Sequence, residues 1–398
     1  MRKPTRVVLS CLIFALAWGL HPGDSTAFEQ IDALFVLDAS SYEDTLRAEE
    51  AIELAGGRVE LIFPNRVIIG QIDRASVAEL RRDDTIQGVE FGEVAPRAGL
   101  ARPNSEERTA IDFWNELVTA PPVQRTEHLE HFMMEGAARP APPMHPSLRA
   151  RLNAEQVLTP KMSGKIALMV FFVESDGKID PETENWGNDW KMIKKQVVTG
   201  LKFWTSNAPK SEGLKFVLKF TKPKKAKVSY EPINRSSSEE GLWISELMTK
   251  KGFPDSRVGS GATYFDQVFA HNAKLAKKFK TTGGAVSEFV VASKNDADHK
   301  FTDGAFGYAY LGGWFTVMTY GNNGWGPERF NLVQAHENGH LTGEALDEYA
   351  SSGCSCGETN PKGVKNKNCA ACSAASCVMK DNSAPICKWT RKQLGWKK

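Results

Sequence analysis

The chain has 398 residues, of which 41% are hydrophobic and 25% charged, with a formal net charge of +2. This composition is typical of globular protein, and the length is sufficient for two domains. The lysines are scattered and no nucleic-acid-binding motif accompanies them, which argues against nucleic acid as a partner.

The first 27 residues have the order of a secretory signal peptide. Basic residues precede an apolar run from Val7 to Leu20, and small residues follow, so we predict cleavage after Ala27. The alternative is a retained N-terminal anchor, but the run is shorter than the roughly 20 apolar residues of a membrane span. No later segment is long and apolar enough to cross a bilayer. We therefore expect a secreted protein, extracellular or periplasmic, without membrane attachment after cleavage.

The charge is divided unevenly between two parts of the chain. Residues 28–160 contain 13 arginines and no lysine against 23 acidic residues, a net charge of −10. Residues 161–398 contain 34 basic and 24 acidic residues, a net charge of +10. This change predicts two separately acquired parts whose opposite charges favour docking.

Residues 28–95 predict a small ferredoxin-like α+β domain. Their apolar runs and turn signals follow the order β-α-β-β-α-β, with a helix over 43–55 and a hairpin at Pro64-Asn65. The pattern resembles the propeptide domains of exported proteases of the subtilisin type, which implies an inhibitory prodomain. An accessory domain without an inhibitory role is the alternative. Residues 96–163 contain a helix around Ile111 to Val118 and many prolines, which indicates a linker suited to proteolytic processing.

Residues 164–398 alternate between helical and strand patterns, which predicts an α/β domain. The apolar run Ile166–Val173 has the length of a strand buried on both faces. A long strand interrupted by glycines is predicted over Gly307–Met318.

The motif His336-Glu337-x-x-His340 predicts a metal-binding catalytic site. Residues four apart share one face of a helix, so both histidines can bind one zinc ion, and Glu337 can reach a metal-activated water as general base. Gly339 within the helix predicts a closely packed neighbour, and Gly343 predicts a left-handed helix end. A catalytic zinc ion usually has three protein ligands, so a third ligand just after the helix is expected.

The segment His336-Glu337-x-x-His340-x-x-Gly343 resembles the metzincin metallopeptidases. The position of the usual third ligand is Leu346, which cannot bind zinc. The ending Asp347-Glu348-Tyr349 is similar to that of the IgA-peptidase-type family. The resemblance implies a metzincin-like fold with a mixed twisted sheet and Asp347 as third ligand, with Glu348 as the rival. It also implies that Gly307–Met318, just before the active-site helix, is an edge strand that pairs with an extended substrate backbone.

A methionine and six cysteines follow this motif. The metzincin resemblance implies that Met379, in a turn-rich segment, forms a buried floor beneath the metal. The cysteines after the signal peptide are Cys354, Cys356, Cys369, Cys372, Cys377 and Cys387. In an exported protein an even number favours disulfides, here as many as three. The alternative is a second metal site on the first four.

These patterns predict a secreted, zinc-dependent endopeptidase acting on proteins or peptides, with its own N-terminal prodomain as a partner. Two other functions use the same residues. One is a noncatalytic binding or surface protein on a metzincin-like scaffold, although such a scaffold has no need of Glu337. The other is a zinc hydrolase that cleaves a non-peptide bond.

Overall fold

The computed structural model describes residues 30–95, 105–119, 139–144, 146, 148, 160–259, 261–322 and 325–396. The predicted signal peptide and its cleavage after Ala27 lie outside these residues. Among the described residues, no helix is both long and apolar enough to cross a membrane.

The N-terminal part forms the predicted β-α-β-β-α-β order and adds a helix from the linker. Its elements are β1 (Ile31–Leu37), α1 (Tyr42–Leu54), β2 (Arg58–Phe63), β3 (Val67–Ile72), α2 (Val77–Leu80), β4 (Ile86–Glu90), α3 (Ser105–Thr119) and β5 (Arg139–Pro140). The hairpin joining β2 to β3 contains Asn65 with a φ of 65°, a conformation that asparagine tolerates better than most residues.

The C-terminal part alternates strands and helices. Its elements are β6 (Lys165–Ser175), α4 (Trp190–Asn207), β7 (Lys215–Phe220), β8 (Lys227–Val228), α5 (Glu240–Lys250), α6 (Asp255–Val258), α7 (Tyr264–Lys278), β9 (Ala285–Val291), β10 (Gly307–Leu311), β11 (Phe315–Thr319), α8 (Phe330–Gly343) and α9 (Lys388–Leu394). Ile166–Val173 lies inside the almost entirely buried β6. The predicted mixed α/β class is confirmed.

All eleven strands join into one mixed sheet. Its order is β4-β1-β3-β2-β7-β6-β9-β11-β10-β5, with β8 paired to β6. The N-terminal strands are antiparallel to each other, and β2 then pairs in parallel with β7 through Leu61 and Phe216. One hydrophobic core continues across this junction, because Leu61 and Phe63 belong to the same buried cluster as Ile166. The N-terminal strands therefore extend the C-terminal sheet.

Ion pairs between the two parts surround this junction. Glu49 of α1 accepts hydrogen bonds from Lys165 and Lys215, at 2.6 and 2.8 Å. Lys202 of α4 pairs with the fully buried carboxylate of Glu60. In each pair the lysine comes from the basic part and the acid from the acidic part. The uneven charge of the sequence thus corresponds to real contacts across the junction.

Replacing Leu61 by alanine should destabilise the whole sheet. Leu61 is fully buried at the junction, and truncating a buried leucine typically costs about 2–5 kcal/mol. Because its strand pairs with β7, we expect calorimetry to show one melting transition at a lower temperature. Leu54→Ala, in the same part but 81% exposed, should leave the transition unchanged. Two transitions, of which only one shifts, would show that the N-terminal part unfolds independently.

The prediction of a single strand over Gly307–Met318 is wrong. The segment forms two antiparallel strands, β10 and β11, in which Gly307 lies opposite Met318. The chain reverses at Gly312, whose φ of 60° lies in the left-handed region that glycine adopts without strain. Strand β10 consequently lies beyond β11, towards the edge of the sheet.

Candidate metal centre

Helix α8 is buried along its length and carries the predicted motif. Every residue from Val333 to Gly343 is buried. Trp204 of α4 packs against the helix and donates its indole N–H to the carbonyl of Ala335 at 3.0 Å. Such enclosure limits the freedom of the motif side chains, which favours a preorganised site.

Three predicted ligands converge at one point. The Nε2 atoms of His336 and His340 are 2.9 Å apart, and each is 3.1 Å from Oδ1 of Asp347. Nitrogen and oxygen ligands about 2.0–2.1 Å from a tetrahedral zinc ion lie about 3.3 Å from each other. The three side chains are buried, so their atoms are already held near the spacing that a single metal ion requires.

Backbone carbonyls orient both imidazole rings. Nδ1 of His336 donates to the carbonyl of Val378 at 2.8 Å, and Nδ1 of His340 donates to the carbonyl of Ala345 at 2.6 Å. A carbonyl can only accept, so the proton of each neutral ring resides on Nδ1. Each Nε2 is then left with its lone pair towards the common point, as metal ligation requires.

Glu337 lies beside this point without joining the three ligand atoms. It is 3% exposed, and its Oε2 has no hydrogen-bond partner among the described residues. Burial raises the pKa of Glu337, while the two adjacent histidines lower it. A Cβ atom placed on Gly307 would lie 3.8 Å from Oε1 of Glu337. The carboxylate therefore faces the start of β10.

The neighbouring carboxylates of Asp347 and Glu348 have different surroundings. Glu348 accepts a hydrogen bond from Asn368 at 2.6 Å, and Thr390 donates to it at 3.4 Å. Its atoms lie with the thiols of Cys377 and Cys387, in a second cluster. The geometry thus groups Asp347, rather than Glu348, with the two histidines.

Met379 packs closely against Gly339 of α8. Met379 is fully buried, and a Cβ on Gly339 would come within 2.8 Å of its Sδ. This contact confirms the close neighbour predicted for Gly339. The left-handed end predicted at Gly343 is wrong, because Glu344 holds that conformation with a φ of 53°. Gly343 instead makes room for Leu394, whose Cδ2 would lie 2.0 Å from a Cβ there.

The cysteines form two disulfides after the metal centre. Cys354 pairs with Cys369, and Cys356 pairs with Cys372. These bonds remove the thiolates that a second metal site on the four cysteines would need. The expectation of three disulfides is not met, since the two remaining cysteines are free thiols. The hydroxyl of Thr390 lies 2.9 Å from the Cys377 thiol.

Two polar side chains near the site were missed by motif reasoning. The ring of Tyr349 lies 6.2 Å from that of His336, and burial together with the charges of Asp347 and Glu337 raises the pKa of its phenol. Asn322 is fully buried, its side-chain amide has no partner among the described residues, and its Oδ1 would lie 3.9 Å from the same Cβ on Gly307 that approaches Glu337. Tyr349 could have been suspected from its place in the motif, whereas Asn322 lies in a turn without a sequence signal.

No protein-family model matches this chain, and no curated protein matches it significantly. The residues themselves fit a divalent metal ion, since two imidazoles and one carboxylate are suitable ligands and leave a position for water.

Proposed function

We propose that the protein is an exported, zinc-dependent endopeptidase of metzincin type, nearest in its motif to the IgA-peptidase-type enzymes. The observation that carries the proposal is the convergence of two histidine Nε2 atoms and one Asp347 oxygen beside Glu337, whose Oε2 has no hydrogen-bond partner in the described part of the chain. In this proposal residues 164–398 form the peptidase domain, residues 28–95 are propeptide-like, and residues 96–163 link them.

His336, His340 and Asp347 hold the metal in the proposed mechanism. A zinc ion bound there would polarise the scissile carbonyl and lower the pKa of water towards neutrality. Glu337 accepts the proton of the attacking water and returns it to the leaving amine. The neutral hydroxyl of Tyr349 is a hydrogen-bond donor near these groups, and the buried side-chain amide of Asn322 lies beside Gly307 at the start of β10.

Metal removal tests the proposal. The purified chain, intact or cleaved within residues 96–163, should contain about one zinc ion and degrade a casein-type substrate. A chelator should abolish this activity and added zinc should restore it, because in this proposal the bound metal ion lowers the pKa of the attacking water. Zinc content is measured by atomic absorption and cleavage by gel electrophoresis. Zinc without any proteolysis would contradict the peptidase proposal, and a chain that binds no metal would contradict the metal centre itself.

A further inference from the structure

The outer edge of β10 lies beside the metal centre and is covered by a short segment of the linker. Strand β10 starts next to Glu337, and just past its end the N–H of Gly312 donates to the carbonyl of His340 at 3.1 Å. Arg139–Pro140 pairs in parallel with Tyr310 and Leu311 on this edge. An open strand edge can accept a further extended chain by adding it as a strand. Here the protein's own chain takes that place.

The side chain of Arg139 anchors this segment. Its guanidinium lies 4.0 Å from the ring centre of Tyr308, a cation–π contact. Nη2 also donates to Oγ of Ser237 at 2.6 Å, and Ser237 is itself fixed by Asp303 through its N–H and its hydroxyl, at 3.0 and 2.7 Å. The guanidinium is therefore held on two sides by groups that are positioned independently of it.

A buried carboxylate attracts the guanidinium electrostatically. Glu240 is 1% exposed and accepts hydrogen bonds from the hydroxyls of Tyr264, Tyr308 and Tyr310 at 2.8, 2.6 and 2.5 Å. Burial raises its pKa, and Arg139 is among the groups that lower it. We call Ser237, Glu240, Tyr308 and Tyr310 the Glu240 pocket. With a buried hydrogen-bond-accepting carboxyl group and two aromatic faces, it has the chemistry that recognises arginine.

The residues after Arg139 continue the contact. Pro140 ends the strand pairing because it has no N–H to donate. Ala141 and Met144 then pack against the hydrophobic cluster that contains Tyr308, and Leu148 is buried within it. We call residues 139–144 together with Leu148 the Arg139 arm. The Arg139 arm is thus held by strand pairing with β10, by the contacts of the Arg139 guanidinium and by apolar packing.

The ferredoxin-like unit is poorly placed to cover the same edge. Four strands, β7, β6, β9 and β11, separate β2 from β10 in the sheet. Five strand spacings of about 4.8 Å place β2 roughly 24 Å from β10. The Arg139 arm, by contrast, lies directly on β10, and Arg139 is among the charges that act on Glu337.

We propose that β10 and the Glu240 pocket form a docking site for an extended, arginine-bearing peptide, and that the Arg139 arm fills this site and keeps substrate from the metal centre. Opening requires that the arm leave β10, after which a substrate segment with arginine takes its place. The exclusion of substrate by the arm rests on the proposed peptidase function, whereas the docking of the arm does not.

Hydrogen–deuterium exchange on the full chain tests the docking. In Arg139→Ala, amides of residues 307–311 should exchange at least ten-fold faster than in the unchanged chain, while the remainder of the sheet keeps its protection. Arg66→Ala, which removes an exposed arginine from the β2–β3 hairpin, is the matched control and should change nothing at β10. Arg139→Lys keeps the charge but loses the planar contact, so an intermediate rate is expected.

A peptide added to the Arg139→Ala variant provides a second test of the docking. A synthetic peptide of residues 134–144 should restore protection of β10 in Arg139→Ala, and the same peptide with alanine in place of its arginine should not. Equal exchange at β10 in all variants, or equal restoration by both peptides, would overturn the proposal. With a peptide substrate, Arg139→Ala should also raise kcat/KM about ten-fold. Faster exchange at β10 without any hydrolysis would support the docking of the arm and count against the peptidase proposal.

Discussion

Glu337→Gln is expected to remove most peptide hydrolysis while the protein keeps its zinc. The amide has nearly the same shape but cannot accept the proton of the attacking water, and positioned acid–base groups contribute about 10²–10⁴-fold. The carboxylate does not converge with the three ligand atoms, so metal content should stay near one per chain. The measurement is kcat/KM on a peptide substrate, alongside zinc analysis of the same preparation.

Glu288→Gln is the matched control for this substitution. Glu288 is also a buried carboxyl group in contact with α8, where it accepts a hydrogen bond from Gln334 at 3.2 Å. Burial raises its pKa to about 8, so it is mainly neutral at pH 7 and glutamine is a close substitute. We expect near-normal activity. Equal losses in both variants would indicate damage to the helix, and full activity in Glu337→Gln would exclude Glu337 as the base.

Asp347→Ala is expected to abolish tight zinc binding, whereas Glu348→Gln is expected to retain it. Removing a residue that only hydrogen-bonds to a metal ligand lowers the metal affinity about 10–100-fold. Removing one of the three ligands themselves should lower it further. Glu348 contacts Asn368 and Thr390, and burial raises its pKa to about 7, so glutamine can replace its neutral form. Zinc titration in competition with a chelator of known affinity measures the difference.

The opposite pattern would reverse the ligand assignment. If Glu348→Gln loses zinc and Asp347→Ala retains it, Glu348 is the third ligand and the backbone at this turn rearranges on metal binding. A thermal melt of both metal-free variants provides the control. Glu348→Gln should melt near the unchanged protein because the hydrogen bonds to its side chain can be largely reproduced. Gross unfolding of either variant would explain a loss of zinc without any role in ligation.

Local spacing allowed much of the metal centre to be predicted. The four-residue separation of His336 and His340 places both rings on one helix face whatever surrounds the helix. Asp347 follows shortly after the end of the helix, which limits the distance between its carboxylate and the two imidazole rings. The element order of residues 28–95 was predictable for the same reason, since periodicity and turn residues act over a few positions.

Contacts between distant segments were not predictable in this way. The division of Gly307–Met318 into β10 and β11 depends on a reversal at Gly312, and the sequence there also fits a continuous strand. Gly343 favours a left-handed helix end, but Glu344 holds that conformation, and Gly343 instead makes room for Leu394, 51 positions later in the chain. The pairing of Arg139 with Tyr310 involves a two-residue strand, which is too short for any periodic signal.

The sequence by itself determined the α/β class, the helix carrying His336, Glu337 and His340, and the opposite charges of the two parts, because each follows from residue type and short-range spacing. Only the tertiary structure decided that β2 continues the sheet through β7, that Asp347 rather than Glu348 meets the histidines, and that Arg139 covers β10. These features depend on which surfaces meet across long stretches of chain. The packing and burial of the whole fold set these three features, and no short segment of the sequence encodes them.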